Sequence, residues 1–456
     1  MMPPKPPHVL IAGGGVAAVE AVAALRALAG PRLRITVLSP VDEFVPRPAS
    51  VASPFGFGPP NPLPLATVQR HARFALHRGK LARVEPDEHV VIDDVGEPIE
   101  YDTLLVAVGA RAQPAVPGAI TFRGLDDAGA VARAVEDSPR LAFVLPSVSS
   151  WALPVYELAI LAAGELRSRG VEPEITVVTP EPEPLWMFGR EASRAVRAML
   201  DERAIALRTG AQAIAAHDGV VELIGGGHVQ ADRVIALPHL VGPAIPGLPV
   251  GPSWFVPADA HGRVPGVNDV YAAGDVTTFP LKQGGLATQQ ADAAAEAIAA
   301  AYGAPLKPEP FRPVLRGLLL TGGAPLYLRA QLSASGVAED RTARPVTRRT
   351  VTAVSRRALW WPPSKIAGRY LAPLLATARP PLLATSQMQD LQPGPTDEGR
   401  DDARELALLL AEEDAAMGDY AQALRALDAA AALTGGVLPD EWALRRAQWQ
   451  AAHVSA

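Results

Sequence analysis

The chain has 456 residues, 48% of them hydrophobic and 20% charged, the balance of a folded globular protein of about three domains. It contains no cysteine, which excludes disulfides, thiolate metal sites, cysteine nucleophiles and redox chemistry through a dithiol or persulfide. With 42 basic against 48 acidic residues the net charge is −6, so the chain as a whole is not built to bind nucleic acid.

Met1–Pro7 is a short Pro-rich lead without an apolar core or a cleavage site, which argues against a signal peptide and for the cytoplasm. A strand pattern, His8–Ala12, runs directly into Gly13-Gly14-Gly15-Val16-Ala17-Ala18 and an Ala-rich helical run through Leu28. Strand, tight turn and helix form the context that the G-x-G-x-x-G/A dinucleotide fingerprint requires. Gly13 permits the turn, and Gly15 lets the backbone approach a pyrophosphate. Ala18 keeps helix and strand close, and the helix N-terminus presents free N–H groups to phosphates. The next strand, Arg34–Leu38, ends at Ser39, where such folds usually place an acid for the ribose. A serine there can still hydrogen-bond a hydroxyl.

Two later segments extend the pattern. Tyr101–Ala110 is a buried strand closing on the small-residue turn Ala107-Val108-Gly109, and Asp269–Asp275 is a strand ending in Gly274-Asp275. With these three in order, the chain resembles the two-dinucleotide-binding-domain FAD flavoproteins of the pyridine nucleotide-disulfide oxidoreductase superfamily. That superfamily includes type II NADH dehydrogenases, sulfide:quinone reductases and ferredoxin reductases. The second segment closes as the family's T-x5-A-T-G pattern does, on Ala107-Val108-Gly109 with Val108 in place of Thr and Thr103 nearer to the turn, and the third matches Y-A-x-G-D. The resemblance implies an α/β fold of two Rossmann-like domains and FAD as cofactor. It assigns Asp275 to the ribitol, Arg47 and Pro48 to the isoalloxazine and pyrophosphate, and Val84 to the adenine. Lys282, Gln283 and Ala287 open an Ala-rich helix through Tyr302, whose positive end the resemblance aims at the flavin.

The relatives insert a second Rossmann unit for NAD(P)H. Here its layout is present, with a strand at Leu141–Leu145, a helix ending near Arg169 and a strand at Ile175–Val178, but no glycine occurs from Leu141 through Ala163. Counted from the strand, Pro146, Val148 and Trp151 stand where the glycines should. Proline removes an N–H, valine adds a Cβ where phosphate must approach, and tryptophan fills the helix–strand gap. The ribose acid is also missing after Val178, with Glu181 beyond its usual place. The unit is expected to keep its fold and lose its nucleotide site.

From Arg341 through Gln389 there is no acidic residue, and Trp360-Trp361 lies among arginines. Two readings stay open for 341–379: a peripheral contact at the inner face of a membrane, or packing over the flavin. After a Pro/Gly/Gln linker, Gly418-Asp419-Tyr420 and the small residues that follow resemble half of one tetratricopeptide repeat. Such a unit must dock on its own chain, on a second copy or on another protein. The nine histidines show no metal-ligand spacing, so no metal is expected.

The expected layout is a cofactor domain split between 1–117 and 240–310, a degenerate nucleotide-binding-like domain at 118–239, and a C-terminal interface domain at 311–388. A linker at 389–396 and a helical tail at 397–456 follow. The function expected is a flavin oxidoreductase that moves hydride or electrons from a small-molecule donor to a quinone or protein carrier, with a homodimer open. Two alternatives remain: NAD(P)H oxidation through an altered site, and a non-catalytic flavin-stabilised scaffold that recruits a partner through the tail. No catalytic residue is assigned.

Overall fold

Every residue from His8 to Ala12 is buried, so both faces of this strand must be covered, the mark of a central parallel strand. It is the middle strand of a five-stranded parallel sheet ordered Val270–Ala272, Thr103–Val106, His8–Ala12, Arg34–Ser39, Ala75–Arg78. Because side chains alternate along a strand, Val9 and Ile11 enter one core and Leu10 and Ala12 the other. Helices α1 (Val16–Ala29) and α2 (Leu65–Ala72) cover the first of these faces. Val84, Val91, Ile245 and Val256 cover the second. Each such buried aliphatic side chain contributes about 1.5–3 kcal/mol. The computed structural model describes residues 5–333, 352–360, 362–377, 408, 411, 415, 420, 423–424, 427–428, 431, 438 and 440–455.

The second sheet is also parallel and five-stranded, ordered Ile120–Thr121, Arg233–Ala236, Arg140–Val144, Glu174–Val178, Ala206–Arg208. Helices α3 (Leu125–Asp137), α4 (Leu153–Ser168) and α5 (Gly189–Asp201) accompany it. The most apolar stretch of the sequence thus forms the central strand and α4, as its composition implied. The chain then returns to the first sheet through Val270–Ala272 and α6 (Gly284–Ala301), which packs on the same core as α1. An antiparallel sheet of Val314–Leu319, Leu326–Gln331 and Thr352–Ser355 follows, then α7 (Leu371–Thr377). The architecture is the expected pair of Rossmann-like units, the second inserted into the first.

The described residues divide into two compact units, one drawn from 1–356 and 364–382, the other from 357–363 and 383–456. In the smaller unit, helix α8 (Asp440–Ser455) lies within the helical tail expected at 397–456. Its Trp442 and Trp449 meet edge to face at 6.3 Å and pack with Leu408, Ala411 and Leu427. Most of 397–439, with the half-repeat resemblance at Gly418-Asp419-Tyr420, lies outside the described residues, as do Arg341, Arg344, Arg348, Arg349, Trp361 and Arg379. Among the described residues no helix is long and apolar enough to cross a membrane.

The fold also brings His77, Asp93 and Glu97 within 4.8 Å of one another, a grouping that sequence spacing did not signal. Asp93 is already engaged as the clasp of a hairpin. Its Oδ1 accepts the Val95 and Glu97 N–H groups at 3.0 and 2.8 Å, and its Oδ2 faces His77 Nε2 at 3.2 Å.

Candidate active site

The first glycine turn closes directly on the end of the neighbouring strand. Gly13 donates its N–H to Leu38 O at 2.8 Å and has φ +132°, and a Cβ there would meet Ala107 O at 2.2 Å. Only glycine fits. Gly15 is the N-cap of α1, and no side chain caps that end, so its leading N–H groups are available to an anion. The turn opens on a cavity of about 1430 Å³. Single-ligand sites usually measure roughly 300–1,000 Å³, so this one has room for a second small molecule beside a dinucleotide.

Gly13, Gly15, Val16 and Ala17 line the cavity, as do Arg47, Pro48, Ala107, Val108 and Gly109. Gly274, Asp275, Lys282, Gln283 and Ala287 line it from the returning half of the domain. Burial pushes the Asp275 carboxyl up, against the pull of Lys282 and Arg47. Lys282 is buried, not a loose loop side chain. Its Nζ donates to Thr277 O and, at 2.7 Å, to Phe279 O, and it stands 3.7 Å over the Phe255 ring. Desolvation lowers it to about 8. Gln283 caps α6, its Oε1 accepting the Leu286 N–H at 2.8 Å. An uncapped helix end, a cation set around Asp275 and a glycine turn without side chains fit the pyrophosphate and ribitol of FAD.

Three expected residues lie behind the wall. Ala18 is buried between helix and sheet. Ser39 is fully buried beneath Gly14, with its Oγ donating to Val41 O at 2.8 Å. Val84 is buried, and its N–H is donated to Pro246 O at 3.0 Å, so it has no donor left for an adenine. Lys80, Leu81 and Ala82 line the cavity instead.

The second glycine position corrects the sequence register. Helix α4 starts at Leu153 with Ala152 as N-cap, whereas the preceding strand stops at Val144. Counted from the helix, as α1 is counted from Gly15, the equivalents of Gly13, Gly15 and Ala18 are Ser150, Ala152 and Val155. The strand-to-helix loop is longer than the first one, which is why counting from the strand selected Pro146, Val148 and Trp151. Glycine is absent in either count. Glu181 turns inward, and its Oε2 accepts from Tyr156 Oη at 2.6 Å and Thr179 Oγ1 at 3.1 Å. Burial raises it to about 7. No acid is presented to a ribose there.

A buried ion pair faces the cavity from this second unit. Glu157, on α4, is fully buried, and Lys365 arrives from the segment before α7 with its side chain 14% exposed. Both line the cavity. Glu157 Oε1 accepts from Lys365 Nζ and from the Leu320 N–H at 2.8 Å. Oε2 has no hydrogen-bond partner among the described residues. Burial pushes the Glu157 carboxyl up and the Lys365 ammonium down, each opposed by the other's charge. Trp151, Leu153, Pro154 and Leu318 give the cavity apolar wall.

Residues 7–301 match the family described as pyridine nucleotide-disulphide oxidoreductase. The chain belongs to that family. It is an FAD-dependent oxidoreductase. A curated relative, the sulfide-quinone reductase of Aquifex aeolicus (strain VF5), is 27% identical over 188 residues, 38% of this chain and 43% of that protein's length. The match therefore spans less than half of that relative. In overall fold the chain is similar to the sulfide:quinone oxidoreductase of Aquifex aeolicus, with a TM-score of 0.66 at 23% identity over 77% of this chain and 87% of that one. It is also similar to a ferredoxin reductase from Rhodopseudomonas palustris, with 0.57 at 21% identity over 72% and 83%.

Sequence reasoning missed Glu157 and Lys365. A carboxylate within the most apolar helix was the visible signal for the first; nothing marked the second among nearby basic residues. Two outcomes follow for this flavoprotein. The Gly13→Ala protein is expected to purify without flavin absorbance, because its Cβ collides with the Ala107 carbonyl; full flavin content would contradict the turn's role. The second concerns Glu181, which keeps its proton to about 7 when folded, against an ordinary value of 4.5. Folding stability from this group is therefore greatest below 4.5 and declines as pH rises to about 7. Melting curves across that window should show a decline larger in the wild type than in E181Q, by up to about 3 kcal/mol. Equal slopes would contradict the assignment.

Proposed function

We propose that the protein takes electrons from a small donor other than NAD(P)H and passes them, at its flavin, to a quinone or a protein carrier. The observation that carries this reading is the buried Glu157–Lys365 pair in the wall of the same cavity as the glycine turn. Glu157 Oε2 is buried without a donor among the described residues, which costs about 1–3 kcal/mol or more. FAD, when bound, supplies reversible two-electron chemistry. Gly13, Gly15 and the α1 N–H groups would hold its pyrophosphate, Asp275 its ribitol, and Lys282 its electron-rich edge.

Reducing a quinone to a hydroquinone adds two electrons and two protons. In this reading Lys365 Nζ gives up a proton that solvent replaces, and Glu157 holds the ammonium at the cavity wall. Their opposed shifts bring the two groups' proton affinities closer together than in water, which suits transfer between them. Trp151, Pro154 and Leu318 offer apolar contact for a ring. The quinone class is supported by the similarity to the Aquifex sulfide-quinone reductase. Its sulfide chemistry by the dithiol route is not available to a chain without cysteine.

A nicotinamide donor is disfavoured by Ala152 and Val155 at the glycine positions and by the inward Glu181. The test is anaerobic stopped flow. Mixed with NADH or NADPH, the oxidised protein should keep its flavin absorbance. Photoreduced protein mixed with duroquinone should be rapidly reoxidised. Fast bleaching by either nucleotide would overturn the donor assignment, and inert reduced flavin the acceptor class.

A further inference from the structure

We infer that Glu20, on α1, is a positioning residue that sets Lys365 in the cavity by clasping the backbone five residues beyond it. This rests on the part proposed above for Lys365. Glu20 is fully buried and does not line the cavity. A carboxylate in such a place must be met by donors. The donors are consecutive main-chain N–H groups 350 residues away: Tyr370 N–H to Oε1 at 2.8 Å and Leu371 N–H to Oε2 at 2.6 Å, with the Arg369 N–H a third. Asp292 of α6 adds a side-chain hydrogen bond, while Arg369 turns its guanidinium to Glu296 at 3.2 Å. Burial raises the Glu20 carboxyl to about 7 against these donors, so the clasp rests on the hydrogen bonds themselves.

The run between the clasp and Lys365 is short and held tightly. Gly368 donates its N–H to Ile366 O at 3.0 Å, and Ser364 Oγ donates to the same oxygen at 2.6 Å. Ile366 is buried beside Gly284. At Gly368 a Cβ would stand 2.6 Å from Glu20 Oε2 and 2.9 Å from Thr288 Cγ2, so only glycine lets the chain approach the carboxylate this closely. Lys365 therefore leaves a backbone that is referenced to α1, the helix whose first turn faces the cavity. A lysine placed only by its ion pair must lose side-chain and backbone freedom to reach its site; the clasp removes the backbone part in advance.

Two variants attack the clasp by different means. Glu20→Gln turns an NH₂ group toward one of the main-chain donors. Gly368→Ala wedges the segment away and leaves the charge in place. Both are compared as holoproteins with Lys365→Met. Hydrogen exchange in a peptide covering 364–377 should rise in E20Q and G368A, with flavin content retained. Reoxidation of the photoreduced proteins by duroquinone should slow by roughly 10²-fold, and adding K365M to E20Q should slow it no further. If K365M alone is fast, the role of Lys365 is wrong and the clasp has no function to serve. If K365M is slow while E20Q and G368A exchange faster yet react normally, the positioning role is overturned. Unchanged exchange in both variants would also overturn it, and G368A decides should E20Q fail to fold.

Discussion

A carboxylate and an ammonium placed together out of water are costly, several kcal/mol for each ion, and worth keeping only if each satisfies the other. Glu157 and Lys365 impose that condition on three parts of the molecule. Glu157 belongs to the helix of the second Rossmann-like unit, Lys365 to the C-terminal segment, and the Leu320 N–H that shares Oε1 to the end of an antiparallel strand. Removing either charge would leave the other buried and unpaired, a loss of about 3–5 kcal/mol. The pair is therefore expensive as architecture, and it stands in the cavity wall where the proposed chemistry would use it.

The two absences in the sequence gain their meaning here. Without cysteine, no electron can rest on a dithiol between donor and acceptor. The turn before α4 carries no glycine, and Glu181, the first acid after Val178, is held in the core by Tyr156 and Thr179. The unit keeps its sheet and helices, and its helix α4 brings Glu157 to the cavity wall.

The glycine turns, the strands of the first sheet and the inserted second unit were legible because their signals are local: a buried run, a turn that tolerates no Cβ, a helix start. Thus Gly13, Gly15 and Gly274–Asp275 stand on the cavity where spacing put them. Val84 lies behind the cavity wall, since strand pairing and the Pro246 contact, not sequence, decide which backbone is free. The second turn was miscounted because its loop gained length, and length has no chemical signature. Glu157 and Lys365 are 208 residues apart, and Glu20 is 350 from its partners; no period or motif joins such distances. Glu20 reads in sequence as one polar residue in an Ala-rich helix.

The most direct measurement is a double-mutant cycle on Glu157→Gln and Lys365→Met, read as the rate at which duroquinone reoxidises the photoreduced protein. If the two groups handle protons as one unit, each single variant slows the reaction by about 10²-fold, and the double variant is no slower than the slower single. Losses that multiply, or single variants as fast as the wild type, would contradict a shared role at the flavin.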